Sequence, residues 1–302
     1  MLCIQKYYVD EFPQKHTVTT SEPLFFLSHA HSDHTQGIAN VMKQKDALIV
    51  CTPATSRIIR VTEGIPPEKC LLVKPGQILA LDGTQIHIVD ANHCIGSVMY
   101  IFESDNQKEV YTGDFRFNAK MQKQKDLLAF PDICWMDQTF YNPRFVFPSQ
   151  REAIDQIVQI MIHHSEDDIF LGCYTVGKEK ILEIMTKIRK TKIYAPKKLR
   201  RVYEALGLDF ITEDRSNVSL FAYTSHFLQN PSRKFSKNIM ERVLDGVRIF
   251  PTGWACINTS RPDDKMYFVP YSEHNDYQRL KGFIKLIQPK KIIPIHSPPK
   301  NL

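Results

Sequence analysis

A cluster of metal-binding residue types follows the first strongly apolar run of the chain. The run Leu24-Phe25-Phe26-Leu27 is followed, after Ser28, by His29-Ala30-His31-Ser32-Asp33-His34. Imidazole and carboxylate groups are ligands suited to Zn²⁺, and donors that fan out from one tight turn can divide between two ions. Two ions roughly 3.5–4 Å apart can hold both the attacking and the leaving oxygen of a phosphodiester. The motif predicts a strand that ends at a binuclear metal site; the alternative is a polar turn that is histidine-rich by chance.

The composition is that of a globular protein without a membrane segment. The chain has 302 residues, of which 43% are hydrophobic, enough for one large domain or two ordinary ones. No apolar stretch approaches the roughly 18 residues that span a bilayer, and residues 1–6 lack the apolar region of a signal peptide, so we expect an intracellular protein. The seven cysteines form no C-x-x-C pair, which favours reduced thiols. A net charge of +6 suits a polyanionic partner without requiring one.

Short apolar runs separated by turn residues predict that the first half of the chain is rich in strands. These runs lie at 24–28, 48–51, 84–89, 97–102, 109–112 and 133–137. His93 and Asp114 each follow the end of one run, and Asp137 ends another. We therefore expect their polar atoms to converge on one edge of a sheet.

The pattern changes at Pro148, where a second unit is predicted to begin. Ser149 and Glu152 form a capping box, and apolar residues then keep a helical spacing. The alternation of strands and helices that follows predicts βα units and a parallel sheet. The predicted elements are, in chain order, strand 168–173, helix 178–189, strand 192–194, a helix from 197, strand 247–250, strand 267–269, helix 275–287 and the apolar run 292–295.

Five phrases spread along nearly the whole chain resemble the β-CASP DNA nucleases of the metallo-β-lactamase superfamily, the group of Apollo and Artemis. They are Phe26-Leu27-Ser28-His29, Asp90-Ala91-Asn92-His93-Cys94, Tyr111-Thr112-Gly113-Asp114-Phe115-Arg116, Gly177-Lys178-Glu179-Lys180 and Pro270-Tyr271-Ser272-Glu273-His274. The segment 251–254 resembles the crosslink-repair member of the same group. The resemblance implies an α/β fold, in which a metallo-β-lactamase αββα sandwich carries an inserted β-CASP α/β domain. It implies three segments: 1–148 for the first part of the sandwich, 149–250 for the β-CASP domain and 251–302 for the closing part of the sandwich.

The resemblance also implies a role for each metal-type side chain. One ion would be held by His29, His31 and His93, and the other by Asp33, His34 and His274. Asp114 would bridge the two ions, and Asp10 would orient a ligand histidine, unless it is an ordinary exposed loop residue. The expected catalytic residues are Asp33, Asp114 and Asp10. The expected cofactor is a pair of Zn²⁺ ions, with Mg²⁺ or Mn²⁺ possible at the second position; for His274, a helix-capping surrounding is the alternative to a ligand role.

A 5′-phosphate pocket is implied at a further set of positions. They are Asp137, Thr175, Gly177, Lys178 and Ser272. Gly177 and Lys178 stand at a predicted strand-to-helix junction, where unpaired N–H groups and a lysine charge favour an anion, although Gly-Lys at a helix start is more often solvated surface. The stretch 187–201 holds eight basic residues and no acidic one. It is either a DNA track or a solvated helix face.

The activity that the resemblance implies is 5′-to-3′ hydrolysis of DNA from 5′-phosphorylated ends, in interstrand crosslink repair, in telomere end processing or in both. Water activated between the two ions would attack the phosphorus in line. The alternatives are an RNA-processing β-CASP nuclease, a small thioester or lactam hydrolase, which the inserted domain disfavours, and a catalytically silent scaffold that binds DNA ends. Single- or double-stranded DNA as partner, a monomeric state and a nuclear location follow from the family alone. Because the chain ends soon after the fold should close, we expect a truncated form without a docking tail, and its protein partners stay unknown.

Overall fold

The chain divides into two compact units. The computed structural model describes residues 3–4, 7–13, 23–43, 46–229, 237–257 and 263–297. Met1–Pro143 and Glu273–Leu302 form the first unit, and Arg144–Ser272 form the second. The first unit is thus built from two separate stretches of sequence.

The strands of the described residues pair into three sheets. In chain order, the strands are β1 (Cys3–Ile4), β2 (Tyr7–Val9), β3 (Leu24–Phe26), β4 (Leu48–Cys51), β5 (Cys70–Leu72), β6 (Ile78–Leu81), β7 (Thr84–Asp90), β8 (Val98–Ser104), β9 (Gln107–Tyr111), β10 (Ile133–Asp137), β11 (Ile169–Cys173), β12 (Ile193–Tyr194), β13 (Ile211–Thr212), β14 (Leu220–Thr224), β15 (Val247–Pro251), β16 (Met266–Val269) and β17 (Lys291–His296). The sheet orders are β1-β2-β3-β4-β5 and β17-β10-β9-β8-β7-β6 in the first unit, and β13-β12-β14-β11-β15-β16 in the second.

The helices connect and cover these sheets. In chain order, they are α1 (Ile38–Val41), α2 (Pro53–Thr62), α3 (Ala119–Lys123), α4 (Lys125–Leu128), α5 (Gln150–His163), α6 (Glu179–Arg189), α7 (Lys197–Ala205), α8 (Ser225–Gln229), α9 (Lys237–Asp245) and α10 (Tyr277–Ile287), with 3-10 turns at Pro67–Lys69 and Gly253–Cys256. Within the described ranges, none of them has the length and apolar character that crossing a membrane requires.

The first unit is layered because its strands have two apolar faces. Phe26 of the first sheet packs between the sheets, with its ring centroid 5.2 Å from that of Tyr100 and 5.4 Å from that of Phe102 in the second sheet. Side chains alternate along a strand, so Met99 and Ile101 point the other way and pack against α3, α4 and α10. Helices therefore cover the far side of the second sheet.

The second unit is a parallel sheet with helices on both faces. Leu171 and Ala222 pack with α5, α6 and α7, whereas their strand neighbours Phe170 and Phe221 pack with α8 and α9. From β11 the chain continues through α6 to β12 on one side of the sheet, and from β14 it continues through α8 and α9 to β15 on the other side. The strand order therefore changes direction at the neighbouring strands β11 and β14, and the carboxyl ends of such a pair are the usual ligand site of open α/β sheets.

Most of the predicted elements are confirmed, but both boundaries of the second unit differ from the predicted ones: the unit begins at Arg144 rather than 149 and ends at Ser272 rather than 250. The strand-rich first half, the capping box of Ser149 and Glu152, and the helix near 275–287 are all present. The segment from 251 to 272, however, lies in the second unit, although we expected it to close the first. The reason is that β16 continues the parallel sheet by pairing with β15, with Arg248 opposite Met266. Helix α2, which begins at a threonine cap, and strand β14 were not expected from the sequence.

Candidate metal centre

The predicted metal-type residues meet at one edge of the first unit. Strands β7 and β9 are both antiparallel to β8, and β10 is parallel to both β9 and β17, so all four run in the same direction. His93 follows β7, Asp114 follows β9, and His296 ends β17. The residues from His29 to His34 come directly after β3 of the other sheet. The expected convergence at a sheet edge is therefore confirmed for His93 and Asp114.

Three histidines and Asp114 form the first cluster of donor atoms. His31 Nδ1 lies 3.1 Å from His29 Nε2 and 3.1 Å from His93 Nε2. Asp114 Oδ2 lies 3.6 Å from each of those two Nε2 atoms. The four donor atoms thus lie within 4.8 Å of one another and face a common point.

A second cluster lies on the other side of Asp114. His34 Nε2 is 3.0 Å from His296 Nε2, and these atoms are 3.5 Å and 3.4 Å from Asp114 Oδ1. Asp33 Oδ2 completes the group at 3.9 Å from His34 and 3.8 Å from His296. Asp114 therefore turns one carboxylate oxygen toward each cluster, as a bridging ligand does.

Hydrogen bonds from behind fix the orientation of the imidazole rings. His93 Nδ1 lies 3.1 Å from the carbonyl oxygen of Glu273, which can only accept, so Nδ1 carries the proton and Nε2 faces the cluster. The Ser28 hydroxyl donates to Asp10 and can therefore accept from His29 Nδ1 at 2.9 Å. In both rings, the nitrogen that faces Asp114 is left free of hydrogen, as a metal ligand must be.

Asp10 holds His34 in the same way. Its Oδ2 lies 2.6 Å from His34 Nδ1 and also accepts from the hydroxyl of Tyr111 at 3.0 Å. Its Oδ1 accepts from the backbone N–H of Ser28 at 2.7 Å. Asp10 has a left-handed φ of 52°, which aspartate tolerates better than most residues. These contacts are those of a residue that orients a ligand histidine.

Burial and neighbouring charges set the protonation states in the two clusters. Burial, together with nearby histidines, holds the pKa of His29 and of His93 well below the ordinary histidine value. Burial opposes the charged form of Asp114, but His274 and His34 outweigh it and hold its pKa well below the usual range. In the second cluster, burial lowers the pKa of His34, but Asp10 and Asp114 outweigh burial and raise it well above the ordinary value. The first cluster thus combines neutral imidazoles with an ionised carboxylate, which is the state that binds metal ions, whereas a metal ion at the second cluster would displace a proton from His34.

The donor sets fit divalent metal ions. The Oδ1 atom of Asp114 is buried and accepts no close hydrogen bond from any residue that the structure describes. A buried carboxylate oxygen without a donor is costly, and a cation at that point would remove the cost. Nitrogen and oxygen donors at one sheet edge are a set that Zn²⁺ accepts. The clusters can therefore bind metal ions, with three histidines and Asp114 in one and with Asp33, His34, His296 and Asp114 in the other.

His274, expected beside Asp33 and His34, has different partners. Its Nδ1 lies 2.8 Å from Asp137 Oδ2, and its Nε2 lies 3.9 Å from Asp114 Oδ2. Burial lowers its pKa, but Asp137 and Asp114 outweigh burial and raise it to about 9. Its donor atom thus forms a further group with those of Asp114 and Asp137, all within 4.8 Å of one another. The structure also brings His296 into contact with His34. His296 is not among the ligands expected from the sequence, although it follows the apolar run 292–295 just as Asp114 follows its own run.

The segment that carries His274 is fastened to the loop after Asp114. The guanidinium of Arg116 donates to the backbone oxygen of His274 at 3.1 Å. The Asn275 side chain donates to the carbonyl of Phe115 at 2.9 Å and accepts from the N–H of Phe117 at 2.7 Å. Two stretches far apart in sequence are thereby held in one arrangement around the centre.

The expected phosphate-binding residues occupy both units. In the first, Asp137 is buried, and its Oδ1 already accepts from the N–H and the hydroxyl of Thr139. In the second, Lys178 is only 5% exposed, with its Nζ 4.9 Å from the ring centroid of Tyr271. The N–H of Gly177, which we expected to be open to an anion, donates to the carboxylate of Glu179. Thr175 is partly exposed and Ser272 is buried.

The basic stretch 187–201 is partly engaged in local pairs. Lys187 contacts Glu183 at 2.6 Å, Arg200 pairs with Glu213, and Arg189 donates to backbone carbonyls at the end of α5. The remaining positively charged residues include Lys192, Lys197, Lys198 and Arg201, which are exposed. Exposed lysines and arginines fit a solvated face as well as a DNA track, so both interpretations stay open.

Comparison with known proteins gives two family matches that cover different parts of the chain. The beta-lactamase superfamily domain matches residues 12–165, and the DNA repair metallo-beta-lactamase family matches residues 206–298. DNA ligase 6 of Arabidopsis thaliana is 32% identical over 315 residues, which cover 95% of this chain and 22% of that protein. The 5′ exonuclease Apollo of Mus musculus is 31% identical over 290 residues, which cover 92% of this chain and 52% of Apollo. The chain therefore spans about half the length of Apollo and a smaller share of the ligase.

A solved structure supports the fold. The crystal structure of a protein of unknown function from Enterococcus faecalis V583 matches with a TM-score of 0.66 at 14% sequence identity, and the match covers 95% of this chain and 78% of that one. At this identity, the likeness concerns the fold alone. It agrees with the mixed α/β architecture described above.

Proposed function

This chain belongs to the beta-lactamase superfamily, and on that basis we propose that it is a metal-dependent nuclease that removes nucleotides from the 5′ ends of DNA in DNA repair. The observation that carries the proposal is the pair of donor clusters that flank Asp114, one including this carboxylate and the other with two histidine nitrogens within 3.5 Å of its Oδ1 atom. A binuclear centre suits phosphodiester hydrolysis better than most other reactions. The match of residues 206–298 to the DNA repair family and the likeness to a 5′ exonuclease support DNA as the substrate.

The two clusters divide the expected ligands between two ions. We propose that His29, His31, His93 and Asp114 hold one ion and that Asp33, His34, His296 and Asp114 hold the other. Distances favour His296 over His274 as the fourth donor of the second site. The first site is rich in nitrogen and suits Zn²⁺, whereas the second has two carboxylates and would also accept Mg²⁺ or Mn²⁺. When bound, the ions would supply activation of water and neutralise charge on the phosphate oxygens.

The other residues of the centre position these ligands and the substrate. Asp10 keeps Nε2 of His34 turned toward Asp114. Asp137 holds Nδ1 of His274, so that Nε2 of His274 stands beside the centre and would contact a phosphate oxygen of the substrate. In this arrangement, His274 and Asp137 serve the substrate rather than a metal ion.

We propose that Thr175, Gly177, Lys178 and Ser272 of the second unit bind the 5′-phosphate, and that Asp137 of the first unit serves the substrate through His274. The main support is Lys178, a nearly buried ammonium group in the loop before α6. A buried lysine offers a full positive charge to a phosphate in surroundings where water screens it little. Because the Gly177 N–H is taken by Glu179, we assign the charge of Lys178 the leading role.

The test is digestion of labelled single-stranded DNA that carries either a 5′-phosphate or a 5′-hydroxyl, with and without a chelator. We expect stepwise loss from the 5′ end that requires the phosphate and stops with the chelator. Lys178→Ala should reduce the preference for the 5′-phosphate, while Lys180→Ala, an exposed neighbour on α6, should leave it unchanged. Cleavage of matched RNA with intact DNA would indicate RNA processing instead, and metal binding without any cleavage would indicate a scaffold that binds DNA ends.

The wider biological role is proposed from the relatives alone. A nuclear location follows from their roles in DNA repair, and a monomer follows from the family resemblance. Repair of interstrand crosslinks and processing of telomere ends are both compatible with a 5′ exonuclease. Comparison of crosslink sensitivity and telomere length in cells that lack the protein would separate these two roles.

A further inference from the structure

A cavity lies at the carboxyl edge of the sheet in the second unit. Its volume is about 190 Å³, and it lies at the ends of β11, β14 and β15. Tyr174 follows β11, Ser225 follows β14, and Phe250 belongs to β15. The cavity thus occupies the place where the strand order changes direction, which is where open α/β sheets most often bind ligands.

The floor of the cavity depends on a glycine in β11. A Cβ atom on Gly172 would lie 2.8 Å from Ser225 Oγ, which is too close, and 3.0 Å from Phe250 Cδ1, which is a tight contact. The absence of a side chain at Gly172 therefore lets these two lining residues approach the sheet. The Phe250 ring in turn stacks on that of Phe268, with centroids 5.0 Å apart and planes 21° apart. The floor is therefore an aromatic surface of two stacked rings.

The walls combine aromatic rings with hydrogen-bonding groups. Tyr174 is 58% exposed, and Trp254 is partly exposed although its ring contacts that of Phe145. The hydroxyl of Ser225 and the amide of Gln229 also line the cavity. Aromatic rings stack on any flat ring system, and an amide and a hydroxyl can bond to the edge of one. The lining is thus suited to a flat heteroaromatic group with polar edges.

The volume of the cavity limits the size of the ligand that it can bind. The cavity of about 190 Å³ is smaller than the roughly 300–1,000 Å³ of sites for drug-sized ligands. A single ring system fits this volume, whereas a peptide or a whole dinucleotide does not. Proteins that bind single strands use the same combination, with one base stacked on each exposed aromatic side chain.

We propose that this cavity binds one nucleobase of a DNA strand. The choice of a DNA strand over a free nucleotide as the ligand rests on the proposed nuclease function. Trp254 and Tyr174 would stack on the base, and Ser225 and Gln229 would bond to its edge. The segment 251–254, which the metal centre does not use, thereby acquires a role in binding the substrate.

The test compares binding of three probes to the full chain in the presence of a chelator, which prevents cleavage. The probes are a 5′-phosphorylated thymidine oligonucleotide, the same length of sugar and phosphate without bases, and free thymidine monophosphate. Tryptophan fluorescence reports stacking; Trp135, the other of the two tryptophans, provides a constant background. We expect Trp254→Ala and Tyr174→Ala to weaken binding of the base-bearing oligonucleotide about tenfold and to leave binding of the baseless one unchanged.

Two controls separate loss of stacking from loss of fold. Trp254→Phe keeps a ring against Phe145 and should restore most of the affinity that Trp254→Ala loses. Leu244→Ala removes an apolar side chain from α9 that is 51% exposed and does not line the cavity, and it should change nothing. Thermal melting of each variant shows whether it is folded.

The outcomes distinguish this inference from the proposed function. If the wild type digests DNA while the variants at Trp254 and Tyr174 bind both oligonucleotides as it does, the nucleobase site is overturned and the nuclease stands. If the wild type digests no DNA but thymidine monophosphate quenches Trp254, the nuclease falls, and the cavity is a site for free nucleotides. If neither probe that bears a base depends on Trp254, the inference is wrong whatever the enzyme does.

Discussion

The two units place their functional residues at the same kind of position and fill it with opposite chemistry. In the first unit, His29, His34, His93 and Asp114 are at most 6% exposed, so polar groups are buried at a sheet edge. In the second, Tyr174 is 58% exposed, so an aromatic side chain faces solvent at a sheet edge. A buried carboxylate such as Asp114 needs a counter-charge, whereas an exposed aromatic ring can bind a flat partner without one. The first site should therefore depend on metal ions and the second should not.

The largest effect should come from Asp114→Ala, which removes the carboxylate that both clusters share. We expect loss of bound metal from both sites and a fall in the rate of DNA cleavage of about 10³-fold or more, because both ions lose a ligand and their shared anchor. Metal content per chain and the single-turnover rate measure the two effects. If the two sites are independent, the Asp114→Ala variant should still bind a nucleotide at the second unit.

Retention of two ions per chain by the Asp114→Ala variant would contradict the shared-ligand arrangement. Loss of nucleotide binding together with the metal would contradict the independence of the two sites. Asp105→Ala, which changes an exposed carboxylate in the turn between β8 and β9, is a matched control and should leave both properties unchanged.

A second prediction separates the two histidines near the centre. His296→Ala should lower the affinity for the second ion by about 100-fold. Loss of a ligand should cost at least as much affinity as the 10–100-fold expected when a residue that orients a ligand is lost. His274→Ala should leave both ions bound and reduce cleavage, because its ring contacts Asp137 and stands 3.9 Å from Asp114. Metal titration monitored by calorimetry distinguishes the roles of the two histidines. The opposite pattern would return His274 to the ligand set and remove His296 from it.

Some residues of the metal centre could be predicted from the sequence more easily than others, for a physical reason. His29, His31, Asp33 and His34 share one turn, so the cluster is visible in the sequence itself. His93 and Asp114 could be predicted because each follows an apolar run, and strands that run in the same direction end at one edge. His296 obeys the same rule and was missed because no neighbour in the sequence supports it. Its contact with His34 joins residues that the chain separates by 262 positions.

The pairing of strands across long distances limited the rest of the prediction. A register shift between Met136 and Asp137 sets Asp137 opposite His296, and the residues around Asp137 contain no sequence pattern that predicts this shift. In the same way, β16 could not be assigned to the second unit before its pairing with β15 was known. The helices were easier to predict, because capping and apolar spacing are local properties, as Ser149 and Glu152 illustrate.

A third prediction concerns the residue behind His34. Asp10→Asn should lower the affinity for the second ion by about 10–100-fold and the affinity for the first ion less, because Asp10 contacts His34 Nδ1 directly and reaches His29 through the Ser28 hydroxyl. The amide keeps the size of the side chain but loses the charge that fixes the ring. Titration with Co²⁺, monitored by absorbance, measures the affinity of each site for the metal. Equal weakening of both sites would mean that Asp10 supports the whole edge rather than one ligand.

The smallest effects should distinguish the rigidity of the two units at glycines with a left-handed backbone. Gly113, next to Asp114, has φ of +51°, and a Cβ there would lie 2.7 Å from Ser28 Oγ and 2.8 Å from Ser28 Cβ. Gly207, at the end of α7 in the second unit, has φ of +79° and no atom within 4 Å of such a Cβ. Alanine in the left-handed region costs about 1–2 kcal/mol, and overpacking adds about 1–3 kcal/mol.

Gly207→Ala should therefore lower the free energy of unfolding by about 1 kcal/mol, and Gly113→Ala by about 3 kcal/mol, as measured by urea denaturation. Gly113→Ala should also weaken metal binding, because Ser28 must move and it holds both His29 and Asp10. Gly207→Ala should leave metal binding unchanged. Equal losses of stability in the two variants would show that the loop before Asp114 can move away from Ser28. In that case, the edge that carries the metal centre would be no more rigid than an exposed helix end, and the ligands would depend on the ions themselves for their arrangement.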